Sequence, residues 1–214
     1  MAVVCPSITA PDNEKYREQM ENVALFAKRI QIDLTDGSFA KGADVAPENA
    51  WWPVGIKADF HLMYEQPDKV IDGILEHKPN LIIVHSESKG NFSTISRKLR
   101  GLGVMAGVAL LPKTSASSIV PALDSIDHVL IFSGDLGKFG GHANFDLLKK
   151  VHFLKQHKPT LEIGWDGGIN DQNISHLAAG GVDVFNVGGF IQHSSNPQHT
   201  YKTLMRIADE TGTT

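Results

Sequence analysis

The 214-residue sequence has little cysteine, no long apolar run and no cluster of basic residues, and each shortage excludes a class of protein. Its single cysteine, Cys5, rules out an internal disulfide and a cysteine metal cage, as expected in a reducing cytoplasm. No apolar stretch approaches the ~18–20 residues of a membrane-spanning helix. The first residues lack the basic start and apolar core of a secretory signal. We therefore expect a soluble cytoplasmic protein with no membrane association.

The charge pattern argues against a nucleic-acid partner. Twenty Lys and Arg residues are set against 24 Asp and Glu residues, which gives a formal net charge of −4. Nucleic-acid-binding surfaces gather Lys and Arg on one face, and this sequence has no basic run. Hydrophobic residues make up 42% of the chain, which is enough for a sizeable core.

Eight short apolar runs alternate with segments whose apolar residues repeat at helical spacing. The predicted strands are 3–8, 30–34, 56–62, 81–85, 104–110, 128–132, 161–165 and 183–187. The predicted helical segments are 13–28, 47–52, 68–77, 91–102, 116–123, 144–157, 170–179 and 197–210. This alternation predicts an α/β fold, specifically a (β/α)8 TIM barrel. A doubly wound open sheet is the alternative on periodicity alone.

The length favours a single barrel domain over residues 1–214, because such barrels run to about 200–250 residues undivided. Ser115 and Asn170 are expected to cap two of the helices, and the Gly180-Gly181 pair is expected to end another. Residues 209–214 are expected to fray as a C-terminal tail.

Polar residues recur at the carboxyl ends of the predicted strands. In the stretch IQIDLTDG (30–37), Gln31 and Asp33 lie two residues apart, so both point into the barrel while their apolar neighbours face the helices. Other residues of the same strand ends are Asp59, His61, Met63, His85, Ser133 and Asp166. Any one of them alone would read as a hydrogen-bonded interior residue. Their recurrence at one rim predicts a binding or catalytic site, because barrel enzymes build their sites there.

Three glycine pairs follow the last three strands, namely Gly140-Gly141, Gly167-Gly168 and Gly188-Gly189. Barrels often bind phosphate in the loops after strands seven and eight, where backbone N–H groups converge and glycine lets the anion approach. Tight turns would also explain a single pair. Successive pairs favour a phosphorylated ligand.

Several motifs, in order, carry a resemblance that covers nearly the whole chain. They are QIDLTDGSF (31–39), ADFHLM (58–63), LIIVHSE (81–87), GVALLPKT (107–114), VLIFSGDLGKFGG (129–141) and WDGGIN (165–170). Together they resemble the ribulose-phosphate 3-epimerase family of ribulose-phosphate-binding barrels. The resemblance implies interconversion of C3 epimers of a ketose phosphate through a metal-stabilised ene-diolate. A homo-oligomer that binds a small sugar phosphate is implied as well.

The resemblance also assigns roles to residues. Asp33 and Asp166 correspond to the two catalytic carboxylates, and a divalent metal ion (Zn, Fe, Mn, Co or Mg) is held by these aspartates and two histidines. One histidine is His61, and Gln31 stands where the other is expected. Substrate-binding positions are Ser7, Met63, Gly140, Gly141, Gly167, Gly168, Gly188 and Gly189.

The sequence departs from the family pattern around the reacting carbon. An amide oxygen at Gln31 is a weaker and harder donor than an imidazole and is poorly suited to zinc. A substrate-contacting serine of the family falls on Ala10, and two methionines fall on Thr35 and Phe132. Three hypotheses therefore stay open: an epimerase, another ene-diolate enzyme of the superfamily, and an altered or inactive paralogue that binds a phosphorylated sugar without a tightly held metal.

Overall fold

The computed structural model describes residues 2–211, in which eight parallel strands close into a barrel. The strands are β1 (Val3–Ile8), β2 (Arg29–Thr35), β3 (Lys57–Met63), β4 (Leu81–His85), β5 (Met105–Leu110), β6 (His128–Phe132), β7 (Glu162–Asp166) and β8 (Val184–Val187). β8 pairs with β1, with Asn186 opposite Cys5, and this pairing closes the sheet. The single-domain (β/α)8 barrel is confirmed, and the open-sheet alternative is wrong.

Helices follow most of the strands. The α-helices are α1 (Asn13–Ala24), α2 (Ile71–Glu76), α3 (Phe92–Gly101), α4 (Leu148–His157), α5 (Ile174–Ala179), α6 (Gly189–Gln192) and α7 (Pro197–Thr211). Short 3-10 segments cover Pro47–Asn49, Pro67–Lys69, Ala116–Ser125 and Phe145–Leu147. None of the helices in the described part of the chain is long and apolar enough to cross a bilayer.

The helical connections differ from the expected pattern in two places. β2 and β3 are joined through only the 3-10 turn Pro47–Asn49, and β5 and β6 through the 3-10 segment Ala116–Ser125. Pro121 lies inside the second segment. Proline lacks an N–H donor and crowds the carbonyl four residues before it, so a regular α-helix is disfavoured there.

The predicted helix caps give a mixed result. Ser115 does cap its segment, because its side chain accepts a hydrogen bond from the Ser117 N–H. Asn170 does not begin α5, which starts only at Ile174. The Asn170 N–H instead donates to the side-chain oxygen of Asn173 at 2.9 Å, which holds these residues in a turn before the helix.

The last helix, α7, runs through Thr211, so residues 209–211 of the expected frayed tail are helical in the structure. Its apolar residues Leu204 and Ala208 are fully buried, which ties this part of the helix to the barrel. Residues 212–214 lie outside the described part of the chain.

The barrel interior has an apolar half and a polar half. Leu81, Ile83, Ala109 and Leu130, on β4, β5 and β6, form an apolar cluster of their own. Many inward positions of the remaining strands are polar, and these are Ser7, Gln31, Asp33, Asp59, His61, Glu162, Asp166 and Asn186. Alternation along each strand separates this polar set from the apolar residues that pack against the helices.

The amino end of the barrel is closed by a charged network. Arg29 donates from Nε to Asp59 at 2.5 Å and from Nη1 to both carboxylate oxygens of Glu162 at 2.9 Å. His128 lies 3.5 Å from Glu162, and Asn80 donates to Asp59 at 2.6 Å. Polar residues at this end stabilise the barrel and lie away from the rim where barrel sites form.

Glu162 should make the folding stability depend on pH in acid. Burial raises the pKa of the Glu162 carboxyl. The opposing effects of His128 and Arg29 are larger, so the net result is a pKa lowered to about 2. A lowered carboxyl pKa contributes stability that is present above about pH 4.5 and is lost as the pH falls towards 2. We expect Glu162→Gln to lower the free energy of unfolding by about 1–3 kcal/mol at pH 7.

Urea unfolding of both proteins between pH 7 and pH 3 measures this effect. The difference between the wild type and Glu162→Gln should shrink as the pH falls below 4.5. A difference that stays constant over this range would contradict the assignment.

Candidate active site

Three polar side chains from separate strands meet inside the carboxyl end of the barrel. Asp33 on β2, His61 on β3 and Asp166 on β7 each offer one ligand atom, and these atoms lie within 4.8 Å of one another. His61 Nδ1 is 3.0 Å from Asp33 Oδ1 and 4.0 Å from Asp166 Oδ2. The structure therefore brings the two aspartates and the histidine singled out in the sequence within reach of one small ligand.

Gln31 lies between the two carboxylates. Its Nε2 donates to Asp33 Oδ1 at 2.9 Å and to Asp166 Oδ2 at 2.5 Å. Thr9 Oγ1 donates to the second oxygen of Asp33 at 2.5 Å. The Gln31 Oε1 atom is buried and has no hydrogen-bond partner among the described residues. The reverse amide orientation would set this oxygen against two carboxylate oxygens, so the NH₂ group must face them.

Asp166 has a carboxyl that is shifted towards its protonated form. Burial and the nearby negative charge of Asp33 raise the pKa of its carboxyl to about 7, against the opposing effects of His61 and Gln31. Two carboxylates this close in a poorly solvated interior are costly to ionise together. The pair is therefore suited to holding one proton between them at neutral pH.

Behind His61 lies a second buried histidine. His61 Nε2 is 2.9 Å from His85 Nε2, and His85 Nδ1 is 3.4 Å from Glu87 Oε2. Burial lowers the pKa of His85 to about 4, so this imidazole is neutral at pH 7. Burial raises the pKa of Glu87, but hydrogen bonds from His85, Thr114 and the Leu111 N–H together lower it to about 2.

A cavity of about 300 Å³ opens above the two carboxylates. Its lining includes Ser7, Met63, Asp33, Asp166 and all six predicted glycines, Gly140, Gly141, Gly167, Gly168, Gly188 and Gly189. Gln31 and His61 do not line it, since both side chains are fully buried beneath it. The glycine loops and the carboxylates thus face one common space.

The chain was compared with known proteins. The model of the "Ribulose-phosphate 3 epimerase family" matches residues 3–192. The chain belongs to this family. The ribulose-phosphate 3-epimerase of Helicobacter pylori is 29% identical over 95% of this chain and 97% of its own length. That of Aquifex aeolicus is 32% identical over 89% of this chain and 90% of its own length.

A structural comparison supports the same fold. The crystal structure of KGPDC from Streptococcus mutans superposes with a TM-score of 0.75 over 98% of both chains. Its sequence identity is only 11%, so this likeness bears on the fold alone. The family relationship rests on the sequence match and on the relatives named as epimerases, which support an epimerase function.

Within this epimerase-family barrel, the glycine loops are fixed by close backbone contacts. A Cβ atom on Gly167 would lie 2.1 Å from the Gly134 nitrogen, and one on Gly168 would lie 2.2 Å from the Ala143 nitrogen. The loops after β6 and β7 therefore touch through their backbones. A Cβ on Gly188 would lie 2.4 Å from the ring of Phe139, which covers the start of the loop after β8.

The loops after β2 and β6 also meet at the mouth of the cavity. A Cβ on Gly42 would lie 2.4 Å from the Gly137 carbonyl oxygen, and one on Gly137 would lie 2.0 Å from that of Lys41. This contact brings the segment that carries Lys138 and Phe139 close to the glycine loops after β7 and β8, and both residues line the cavity.

Several lining residues were not predicted from the sequence to belong to the site. They are Thr9, Asp135, Asn170, Asn186, Phe190 and His193. Thr9 had a detectable signal, since it lies two residues beyond Ser7 and so shares its face. Asn186 had such a signal too, as a polar residue within the apolar last strand.

Ser133 was expected at the rim of the site. Its hydroxyl instead stabilises the loop after β6, because it donates to the His142 carbonyl and accepts from the Asn144 N–H.

We expect Gly168→Ala to destabilise the protein through the close approach of the two loops. Gly168 has φ +72, and Gly103 has φ +73 with no atom within 4 Å of a built Cβ, so Gly103→Ala is the matched control. The positive φ alone costs about 1–2 kcal/mol for alanine. Gly168→Ala should cost clearly more than this in urea unfolding. Equal losses for the two variants would show that the loop contact does not constrain Gly168.

Proposed function

We propose that this protein interconverts the C3 epimers of a ketose phosphate by proton transfer between Asp33 and Asp166. The observation that carries the proposal is the convergence of these two carboxylates beneath a cavity lined by glycine loops. The relatives named ribulose-phosphate 3-epimerase support the same reaction class and suggest a ketopentose phosphate as substrate.

The two carboxylates approach the cavity from different sides. Asp33 is on β2 and Asp166 on β7, and β1 and β8 lie between these strands around the barrel. A substrate carbon held between them exposes one face to each acid. One carboxylate removes the C3 proton, and the other, in its protonated form, returns a proton to the opposite face. The raised pKa of Asp166, about 7, favours its alternation between the two forms.

The remaining contacts fix this pair for the reaction. Thr9 and Gln31 hold Asp33 in one orientation by donating to its two oxygens. The phosphate of the substrate would bind the backbone N–H groups of the loops at Gly168 and Gly188, since both glycines line the cavity. Holding the phosphate places the sugar carbons over the carboxylates.

The donor set fits a divalent metal ion. Asp33, His61 and Asp166 supply two carboxylate oxygens and one imidazole nitrogen. A half-turn of the Gln31 amide would exchange its NH₂ group for the buried Oε1 atom, which has no partner among the described residues. Three oxygens and one nitrogen suit Mg²⁺ or Mn²⁺ better than Zn²⁺. When bound, such an ion would act as a Lewis acid on the substrate oxygens and stabilise an ene-diolate.

We expect Gln31→His to raise the affinity for Zn²⁺ more than that for Mg²⁺. In the wild type, the Gln31 NH₂ group uses the same carboxylate lone pairs that a metal needs, whereas an imidazole adds a nitrogen ligand. Isothermal titration with each ion should show a Zn²⁺ dissociation constant lower by at least roughly tenfold. Gln172→His, on an exposed loop, is the control for an added histidine. Unchanged Zn²⁺ affinity in Gln31→His would exclude Gln31 from the metal site.

Single substitutions of the carboxylates should separate proton exchange from epimerisation. Asp33→Asn and Asp166→Asn each leave one acid, so each variant should exchange the C3 hydrogen of only one epimer with D₂O. Net epimerisation should fall by ~10²–10⁴-fold or more in both. NMR detection of deuterium at C3 measures the rate of hydrogen exchange, and NMR of the sugar products measures the rate of epimerisation. Ribulose 5-phosphate and its C3 epimer are each used as the starting substrate.

A second candidate function is favoured by the Gln31 contacts themselves. The amide donates a hydrogen bond to each carboxylate without any ion. This arrangement suits a paralogue that binds a phosphorylated sugar without a tightly held metal. Such a protein would bind ribulose 5-phosphate but exchange no C3 hydrogen, even with Mg²⁺ or Mn²⁺ supplied. That outcome for the wild type would replace the first proposal with this one.

A further inference from the structure

A line of three side chains runs from the candidate site towards the outer wall of the barrel. Glu87, after β4, is anchored at Oε1 by the Leu111 N–H at 3.1 Å and by the Thr114 hydroxyl. Its other oxygen, Oε2, lies 3.4 Å from His85 Nδ1. Both of these atoms are buried, and at this distance neither forms a hydrogen bond with any of the described residues, so each is the nearest available polar partner of the other. Glu87 is therefore held in place by the loop after β5 with one oxygen directed at His85.

The direction of hydrogen bonding along this line follows from its outer end. An ionised carboxylate only accepts, so the contact between Glu87 and His85 is favourable only with the proton on His85 Nδ1. His85 Nε2 is then the acceptor, and His61 Nε2, 2.9 Å away, must be the donor. The remaining nitrogen, His61 Nδ1, lies 3.0 Å from Asp33 Oδ1.

The opposite direction leaves an unfavourable contact. If His85 carried its proton on Nε2, the lone pair of Nδ1 would face the Glu87 carboxylate. Water cannot relieve this contact easily, because His85 is 2% exposed and the rings of Phe39 and Phe132 lie 4.8 Å and 6.0 Å from its own. The first direction places the lone pair of His61 Nδ1 beside Asp33, but both Asp33 oxygens already accept hydrogen bonds from Gln31 and Thr9. The opposite direction would leave Glu87 Oε2 without any donor, which is the more costly arrangement for a buried carboxylate oxygen.

We propose that Glu87 and His85 are positioning residues that fix His61 with its Nε2 protonated, so that Nδ1 presents its lone pair to a cation beside Asp33. That cation is a divalent metal ion. Hydrogen-bonded partners of a ligating histidine commonly set its tautomer and ring orientation. The inference deepens the proposed function, but its test uses no sugar phosphate, so the two proposals fail independently.

Long-range ¹H–¹⁵N correlation spectra of ¹⁵N-histidine-labelled protein report which ring nitrogen carries a proton. His85 should carry its proton on Nδ1, and His61 should be protonated at Nε2, both in the metal-free protein and with Mg²⁺ added. Signals are assigned with His85→Gln and with His157→Gln, a histidine on α4. A wild-type His85 that is protonated on Nε2 would overturn the proposal, whether or not a metal binds.

The Glu87→Gln variant tests whether Glu87 determines which ring nitrogen of His85 carries the proton. A glutamine keeps an acceptor for the Leu111 N–H and Thr114, but its amide can donate as well as accept, so it no longer dictates the proton position on His85. We expect His85 to become a mixture of tautomers and the Mn²⁺ affinity, followed by electron paramagnetic resonance, to fall roughly 10–100-fold. Glu65→Gln is the matched control, a half-exposed carboxylate at the same rim that pairs with Lys89.

Thermal unfolding separates positioning from a general loss of structure. Glu87→Gln should melt close to the wild type, and Glu65→Gln should change neither the tautomers nor the Mn²⁺ affinity. Unchanged histidine tautomers and Mn²⁺ affinity in a folded Glu87→Gln would overturn the role of Glu87. If this variant fails to fold, the wild-type tautomer measurement alone decides the proposal.

Discussion

Two carboxylates held close together in a buried interior set the main constraint on this protein. Asp33 and Asp166 repel each other when both are charged, and the barrel wall gives them little water. The surrounding side chains offset this repulsion. Thr9 and Gln31 donate hydrogen bonds to the carboxylates, and His61 lies beside both of them. What the site binds and how it moves protons depend on which positive partner completes this group.

The closed barrel makes this arrangement possible. Alternation along β2, β3 and β7 directs polar side chains inward, while the neighbouring residues pack against helices, so the polar group is built without weakening the core. Arg29 and Glu162 tie the opposite end of the same polar half together. The barrel thus separates charges that stabilise the fold from charges that face the cavity.

The strands and the rim residues could be predicted from the sequence because both follow from period-two patterns and from the fold class. The 3-10 segment around Pro121 and the late start of α5 were missed, because local turn geometry competes with helical periodicity there. The contacts of Gln31 with two strands could not be predicted from the sequence either, because they depend on which side of its amide faces Asp166. The link between Glu87 and Thr114 joins separate loops and leaves no spacing signal.

The contact between Gly42 and Gly137 has a kinetic consequence. It joins loops from two strands that are not neighbours at one edge of the cavity, where Gly137 lines it, so this edge widens only when the loops part. Release of a bound molecule past this edge would involve moving a loop through solvent, and it would slow in a more viscous medium even though every chemical group at the bottom of the barrel stayed the same.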